Sequence, residues 1–117
     1  MTTNGIQALL VETHNWGKTV AFWQALGFKL EFETDHHSGQ LRAANGTTVF
    51  VAERSLDDPL AIEISLAVPD ADAPAPASPV EIVRSFTATH WGTQQMTVRD
   101  PDGRLFRLEA PAPVGDH

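Results

Sequence analysis

Trp91-Gly92-Thr93-Gln94-Gln95-Met96-Thr97-Val98-Arg99, then Asp100-Pro101-Asp102-Gly103, then Arg104-Leu105-Phe106-Arg107-Leu108-Glu109 is the stretch that decides the fold. Two runs of alternating character flank a Pro-Asp-Gly turn. Proline presets φ at the turn, and glycine accepts the positive φ that closes it. The stretch predicts a closing β-hairpin with strands over 91–99 and 104–109.

Upstream of it, Val80 to Phe86 reads as a strand, followed by a loop at Thr87 to His90. Leu60 to Val68 reads as another, with Ile62, Ile64 and Leu66 on one side and Glu63, Ser65 and Ala67 on the other. Between them, 69–79 carries prolines at 69, 74, 76 and 79, which forbid a helix of useful length. The second half is therefore strand, crossover, three strands.

The first half has the same order with a helix in it. Ile6 to Val11 is a short apolar run. Asn15 is a good N-cap, and Trp16 to Leu26 follows as a helix, with Gly27 where a left-handed C-cap belongs. Trp16, Phe22 and Trp23 read first as core packing against a sheet, with ligand contact as the alternative. Phe28 to Thr34 alternates as a half-buried strand. Asp35-His36-His37-Ser38-Gly39 is a turn. Gln40 to Ala44 and Thr47 to Glu53 are strands joined by Asn45-Gly46, a strong hairpin signal. Arg54 to Pro59 is a polar connector, and Ala110 to His117 reads as a frayed tail. The repeat lies in element order rather than in residue identity.

A chain of 117 residues predicts one domain, 1–117, with a modest core. No apolar run approaches membrane-spanning length, and Met1-Thr2-Thr3-Asn4-Gly5 has no basic region leading into an apolar core. A cytoplasmic location is expected. The absence of cysteine excludes disulfides, thiolate metal sites and cysteine nucleophiles. A net charge of -7 with few, scattered basic residues argues against nucleic acid. There is no nucleophile-elbow motif and no phosphate loop; the glycines are isolated turn residues.

With both halves in view, the chain resembles the vicinal oxygen chelate superfamily, which includes glyoxalase, bleomycin-resistance proteins and extradiol dioxygenases. Three stretches carry the likeness: Thr13-His14-Asn15-Trp16 through Phe22-Trp23 to Leu26-Gly27-Phe28; Trp91-Gly92 followed by Asp100-Pro101-Asp102-Gly103; and the strand ending Leu108-Glu109. The resemblance implies an α+β fold. Two βαβββ modules, about 5–54 and 60–110, would form a curved, barrel-like mixed sheet cleft, the second with a Pro-rich crossover replacing its helix. It also implies a homodimer.

The superfamily's enzymes hold a divalent ion with His, Gln or Glu side chains from the first, fourth, fifth and eighth strands. On this chain those positions fall at Ala8 (Gln7 if the register slips), near Val51 or Ala52 with Glu53 just beyond, at Glu63, and four residues after Gly103, at Arg107. Alanine offers no donor atom, and arginine is a permanent cation without a lone pair. Two readings follow. The first is a metal-free small-molecule binding protein of the bleomycin-resistance type, sequestering an aromatic or antibiotic-like ligand. Its candidate ligand-binding residues are Glu63, Arg107, Trp91, Leu10, Phe50, Met96, His37 and His90. The second is a metal-dependent lyase, isomerase or dioxygenase with a divalent ion on a rearranged set: Gln7, Glu53, Glu63 and Glu109. His36-His37 and His90 also read as ordinary loop residues, and Glu63 and Arg107 as solvated strand positions.

Overall fold

A computed structural model describes residues 1–72 and 75–111. The chain divides into two compact units, one of Ala8–Glu63 and the other of Met1–Gln7 with the chain from Ile64 onward.

In the Ala8–Glu63 unit, β1 (Ile6–Thr13, which begins in the other unit), α1 (Trp16–Ala25), β2 (Lys29–Glu33), β3 (Ser38–Arg42) and β4 (Thr48–Glu53) follow in chain order. The strands hydrogen-bond in the order β2-β3-β4-β1. β1 runs parallel to β4, and the other pairs are antiparallel. Asn15 caps α1, its Oδ1 accepting the N–H of Lys18 at 3.0 Å. Gly27 at φ 98° turns the chain out of the helix, a conformation that glycine adopts at little cost. The connection between β3 and β4 is longer than an Asn-Gly pair alone would make. Ala43 and Thr47 close it by an N–H···O bond of 2.9 Å, with Gly46 at φ 93°.

Register explains the core of this unit. Leu9 pairs with Val49 and Val11 with Val51, and these side chains pack with Leu41 against Val20, Trp16 and Trp23 of α1. The two tryptophans are therefore core residues. Phe22 and Leu26 lie 58% and 60% exposed on the outer side of the same helix. The alternate residues of β1 and β4, paired Ala8 with Thr48, Leu10 with Phe50 and Glu12 with Ala52, belong to the opposite sheet face.

The second unit holds β5 (Ile62–Ala67, whose first two residues belong to the other unit), β6 (Glu81–Ala88), β7 (Thr93–Arg99) and β8 (Leu105–Pro111). The strand order is β5-β8-β7-β6, with β5 parallel to β8. The element repeat is thus a repeat of topology: in each unit the first strand runs parallel to the last. No helix lies between β5 and β6 among the described residues, as the prolines require; Pro74 is outside them. Neither four-stranded sheet closes on itself. β8 runs to Pro111, two residues into the expected tail; 112–117 lie outside the described residues.

The closing hairpin is continuous in register from Arg99↔Leu105 to Thr93↔Pro111. Its turn is clamped by Asp100, whose Oδ1 accepts the N–H groups of Asp102 (3.0 Å) and Arg104 (2.8 Å), with Gly103 at φ 88°. Trp91 and Gly92 precede β7 in a turn rather than beginning the strand. The core is Val68, Met96, Val98, Leu108 and Ala110, flanked by Leu66, Phe86, Phe106 and Met1. Among the described residues no helix is long and apolar enough to cross a membrane.

Candidate functional site

The hairpin has one apolar and one polar face. Met96, Val98, Leu108 and Ala110 point into the core, so the residues between them, Gln95, Thr97, Arg107 and Glu109, occupy the opposite face. Gln95 pairs with Glu109 and Thr97 with Arg107 across β7 and β8, and Ser65 of β5 pairs with Arg107 on its other side. Ser65 and Thr97 are buried at 3% and 7% exposure, and form the floor.

Glu109 is the centre of this face. Its Oε1 accepts from Gln7 Nε2 at 2.9 Å, and its Oε2 accepts from both Trp91 Nε1 and Thr93 Oγ1 at 3.1 Å. Thr93 is itself held by Thr89, whose Oγ1 lies 2.9 Å from the Thr93 Oγ1 and accepts its N–H at 3.0 Å. Trp91 remains 56% exposed, yet its ring is positioned by that bond and by an edge contact with His90 at 4.8 Å between ring centres. Arg107 donates from Nη1 to Gln95 Oε1 at 3.3 Å. Gln7, Trp91, Thr93 and Glu109 thus meet in one network, and Arg107 lies on the same face, bonded to Gln95. His90 joins it through the Trp91 ring only.

Met96 does not. At 3% exposure it is part of the core, on the far side of the strand from Arg107. Placing it in a ligand site required the other strand parity, and the register with β8 rules that out. Gln95 and Thr93 were not singled out from sequence. Their signal was present in the turn: a hairpin closed at Asp100–Gly103 puts Gln95 opposite Glu109.

In the Ala8–Glu63 unit, Leu10 and Phe50 pair across β1 and β4 on the face away from α1. Phe32, 48% exposed, lies 6.4 Å from Phe50 between ring centres, so this face carries an aromatic patch. Glu53 is elsewhere. It has the parity of Val49 and Val51, and its Oε2 accepts the N–H of Trp16 at 2.8 Å. Its Oε1 lies 3.1 Å from His37 Nδ1, which draws His37 toward Glu53 and away from the Leu10–Phe50 face. The Trp16 N–H foremost, then His37, hold the Glu53 carboxyl below the usual glutamate range. An open cavity of about 380 Å³ at this end of β4 is lined by Asp35, His36, His37, Glu53, Arg54 and Ser55. Glu63, half-buried on β5, is engaged rather than free.

These side chains do not fit a metal in the manner the resemblance implied. Ala8 has no donor atom, Arg107 is a cation, and Glu53 is committed to the start of α1. Of the rearranged set, Gln7 and Glu109 do meet, through the hydrogen bond between them. Among the described residues no three His, Asp or Glu side chains gather into a metal-holding group.

The architecture is shared with known structures. A glyoxalase/bleomycin resistance protein/dioxygenase superfamily member from Vibrio splendidus 12B01 matches 90% of this chain and 98% of its own at 20% identity, with a TM-score of 0.67. Methylmalonyl-CoA epimerase from Mycobacterium tuberculosis matches 95% and 90% at 16% identity and 0.71. A variant of the Streptomyces coelicolor methylmalonyl-CoA epimerase, in complex with 2-nitronate-propionyl-CoA, matches 96% and 100% at 18% identity and 0.70. No family model and no curated protein sequence matches the chain.

Proposed function

We propose that this chain, which shares its α+β fold with a glyoxalase/bleomycin resistance protein/dioxygenase superfamily member and a methylmalonyl-CoA epimerase, is a small-molecule binding protein of the glyoxalase/bleomycin-resistance type that holds its ligand without a resident metal ion. One observation carries this reading. On the strand where the superfamily's enzymes place a metal-binding acid, this chain has Arg107 bonded to Gln95, and the neighbouring carboxylate, Glu109, is bonded to three side-chain donors. Such a face recognises polar groups by fixed hydrogen bonds. The exposed ring of Trp91, bonded to that carboxylate, suits an apolar, planar ligand, such as an aromatic antibiotic to be sequestered. The complex formed by the Streptomyces coelicolor relative supports a small-molecule ligand for the fold. We further propose that the protein is a cytoplasmic homodimer; sedimentation would test its assembly.

Metal analysis of protein purified without chelators tests the central point. A metal content far below one ion per chain is expected, together with thermal stabilisation by members of an aromatic compound library. A stoichiometric divalent ion would overturn it.

The contact between Gln7 and Glu109 favours a second reading, a metal-dependent lyase, isomerase or dioxygenase using those two side chains. It requires a turnover that chelation abolishes and that Glu109→Ala removes.

A further inference from the structure

A histidine and a carboxylate in the Ala8–Glu63 unit are joined twice. The Glu53 N–H donates to the carbonyl oxygen of His37 at 2.9 Å, and His37 Nδ1 lies 3.1 Å from Glu53 Oε1. The Trp16 N–H and His37 hold the Glu53 carboxyl below the usual glutamate range, so at neutral pH it is ionised and has no proton to give. Nδ1 therefore carries the hydrogen, and the lone pair of the neutral ring sits on Nε2. Nε2 has no partner among the described residues. The side chain is 67% exposed and lines the open cavity of about 380 Å³. The turn that carries it is fixed. Thr34 Oγ1 accepts the N–H of His36 at 3.1 Å, the Thr34 N–H donates to Ser38 O at 2.7 Å, and His37 is held at φ 55°, which a non-glycine residue rarely adopts. The other described histidines differ. His14 and His36 engage Nε2, on the Asp58 carbonyl and the Asp35 carboxylate, which leaves each the more hindered Nδ1. His90 has the edge of Trp91 and no carboxylate partner among the described residues.

We infer that His37 is a nucleophile toward small, neutral, activated esters that enter this cavity, with Glu53 as its positioning residue. The Nε2 lone pair attacks the ester carbonyl, and the bond from the carbonyl carbon to the leaving oxygen breaks, releasing an aryl oxide. The acyl group is then on Nε2, and the positive charge of the ring faces the Glu53 carboxylate through the Nδ1–H bond. Water adds to the acyl carbon and the C–N bond breaks. Carboxylic acid and neutral histidine result, and one proton passes to the aryl oxide or to solvent. Arg54 lines the same cavity, and among the described residues only its Nε is engaged by a side chain, Glu12 at 2.7 Å. Its terminal N–H groups are the donors at hand for the oxyanion of the tetrahedral intermediate. Asp35 and Glu53 are the carboxylates of the cavity and disfavour an anionic ester, which is why the substrate is neutral. The inference is independent of the binding reading, whose central residues belong to the Arg107–Glu109 face.

The full-length chain and 4-nitrophenyl acetate test this at neutral pH, with release of nitrophenolate followed by absorbance. Hydrolysis above the buffer rate is expected. It should fall at least about tenfold in His37→Gln and stay near native in His36→Gln, a change on the same turn. Glu53→Gln should give a smaller fall. In that variant, nitrogen NMR of the ring should show the single Nδ1–H form of His37 giving way to a mixture of tautomers, a change that lost stability alone does not produce. Diethyl pyrocarbonate followed by peptide mass mapping should modify His37 ahead of His14, His36 and His90. No hydrolysis above buffer, an unchanged rate in His37→Gln, or first modification at another histidine would each overturn the inference. All three results leave the binding reading standing.

Discussion

The carboxylate of Glu53 accepts the backbone N–H of Trp16 at 2.8 Å, joining the end of β4 to the first turn of α1. The first N–H groups of a helix have no partner within it, and an anion there is also favoured by the helix dipole. The same carboxylate meets His37 at 3.1 Å, so one side chain ties together a strand, a helix and a turn.

This tie makes stability depend on acid. The folded-state pKa of Glu53 is depressed, the Trp16 N–H being the main cause. Its contribution is therefore present above the unfolded-state value, about 4.3 for glutamate, and is lost as pH falls through the lower folded value. Urea midpoints recorded from pH 7 down to pH 3 should fall over that range. In Glu53→Gln the midpoint should be lower at pH 7 and the acid-dependent fall smaller; an unchanged pH profile would remove Glu53 from this role.

Gly39 is expected to be the glycine least able to accept a side chain. A Cβ there would meet the carbonyl oxygen of Phe32, sit 2.8 Å from Trp16 Cη2 and lie 2.9 Å from Glu33 Cα. Two of these neighbours are backbone and cannot turn aside. Gly39→Ala should cost about 2–3 kcal/mol in chemical unfolding, the usual cost of overpacking.

Met96 and Arg107 should separate stability from binding. Met96→Ala empties part of a core and should cost about 2–5 kcal/mol of folding free energy. Its effect on affinity, measured below the unfolding transition, should be small.

Arg107→Ala should weaken a carbonyl-bearing or anionic aromatic ligand by about 1–3 kcal/mol, the size of a charged hydrogen bond. Titration calorimetry of the variant checks this, and unchanged affinity would take Arg107 out of the site.

The order of elements was legible in the sequence because each signal is local. Asn15 and Gly27 bound the helix; Asn45-Gly46 and Pro101-Asp102-Gly103 mark hairpins; the prolines of 69–79 exclude a second helix. Local chemistry also placed Trp16 and Trp23 in the core, but it placed Phe22 there too, and Phe22 is 58% exposed. Strand ends moved by one or two residues, since ends are set by ladder partners.

The site was less legible because it depends on parity and on partners far apart in sequence. Met96 looks like any apolar wall residue until the pairing with Leu108 puts it in the core. Glu53 looks like a cleft carboxylate until its bond to Trp16 appears. Gln7 and Glu109 are separated by nearly the whole chain, and nothing local predicts their contact.

The closing hairpin shows both sides of this division. By itself the sequence determined the turn at Asp100–Gly103, the register of β7 on β8, and the presence of Arg107 on the closing strand. Those features follow from backbone conformations available to Pro and Gly and from residue identity. Tertiary structure alone decided that Glu109 collects Gln7, Trp91 and Thr93, and that Arg107 turns the amide of Gln95. Hydrogen-bond partners are chosen by which side chains the folded sheet brings within about 3 Å, and that proximity is a property of the fold.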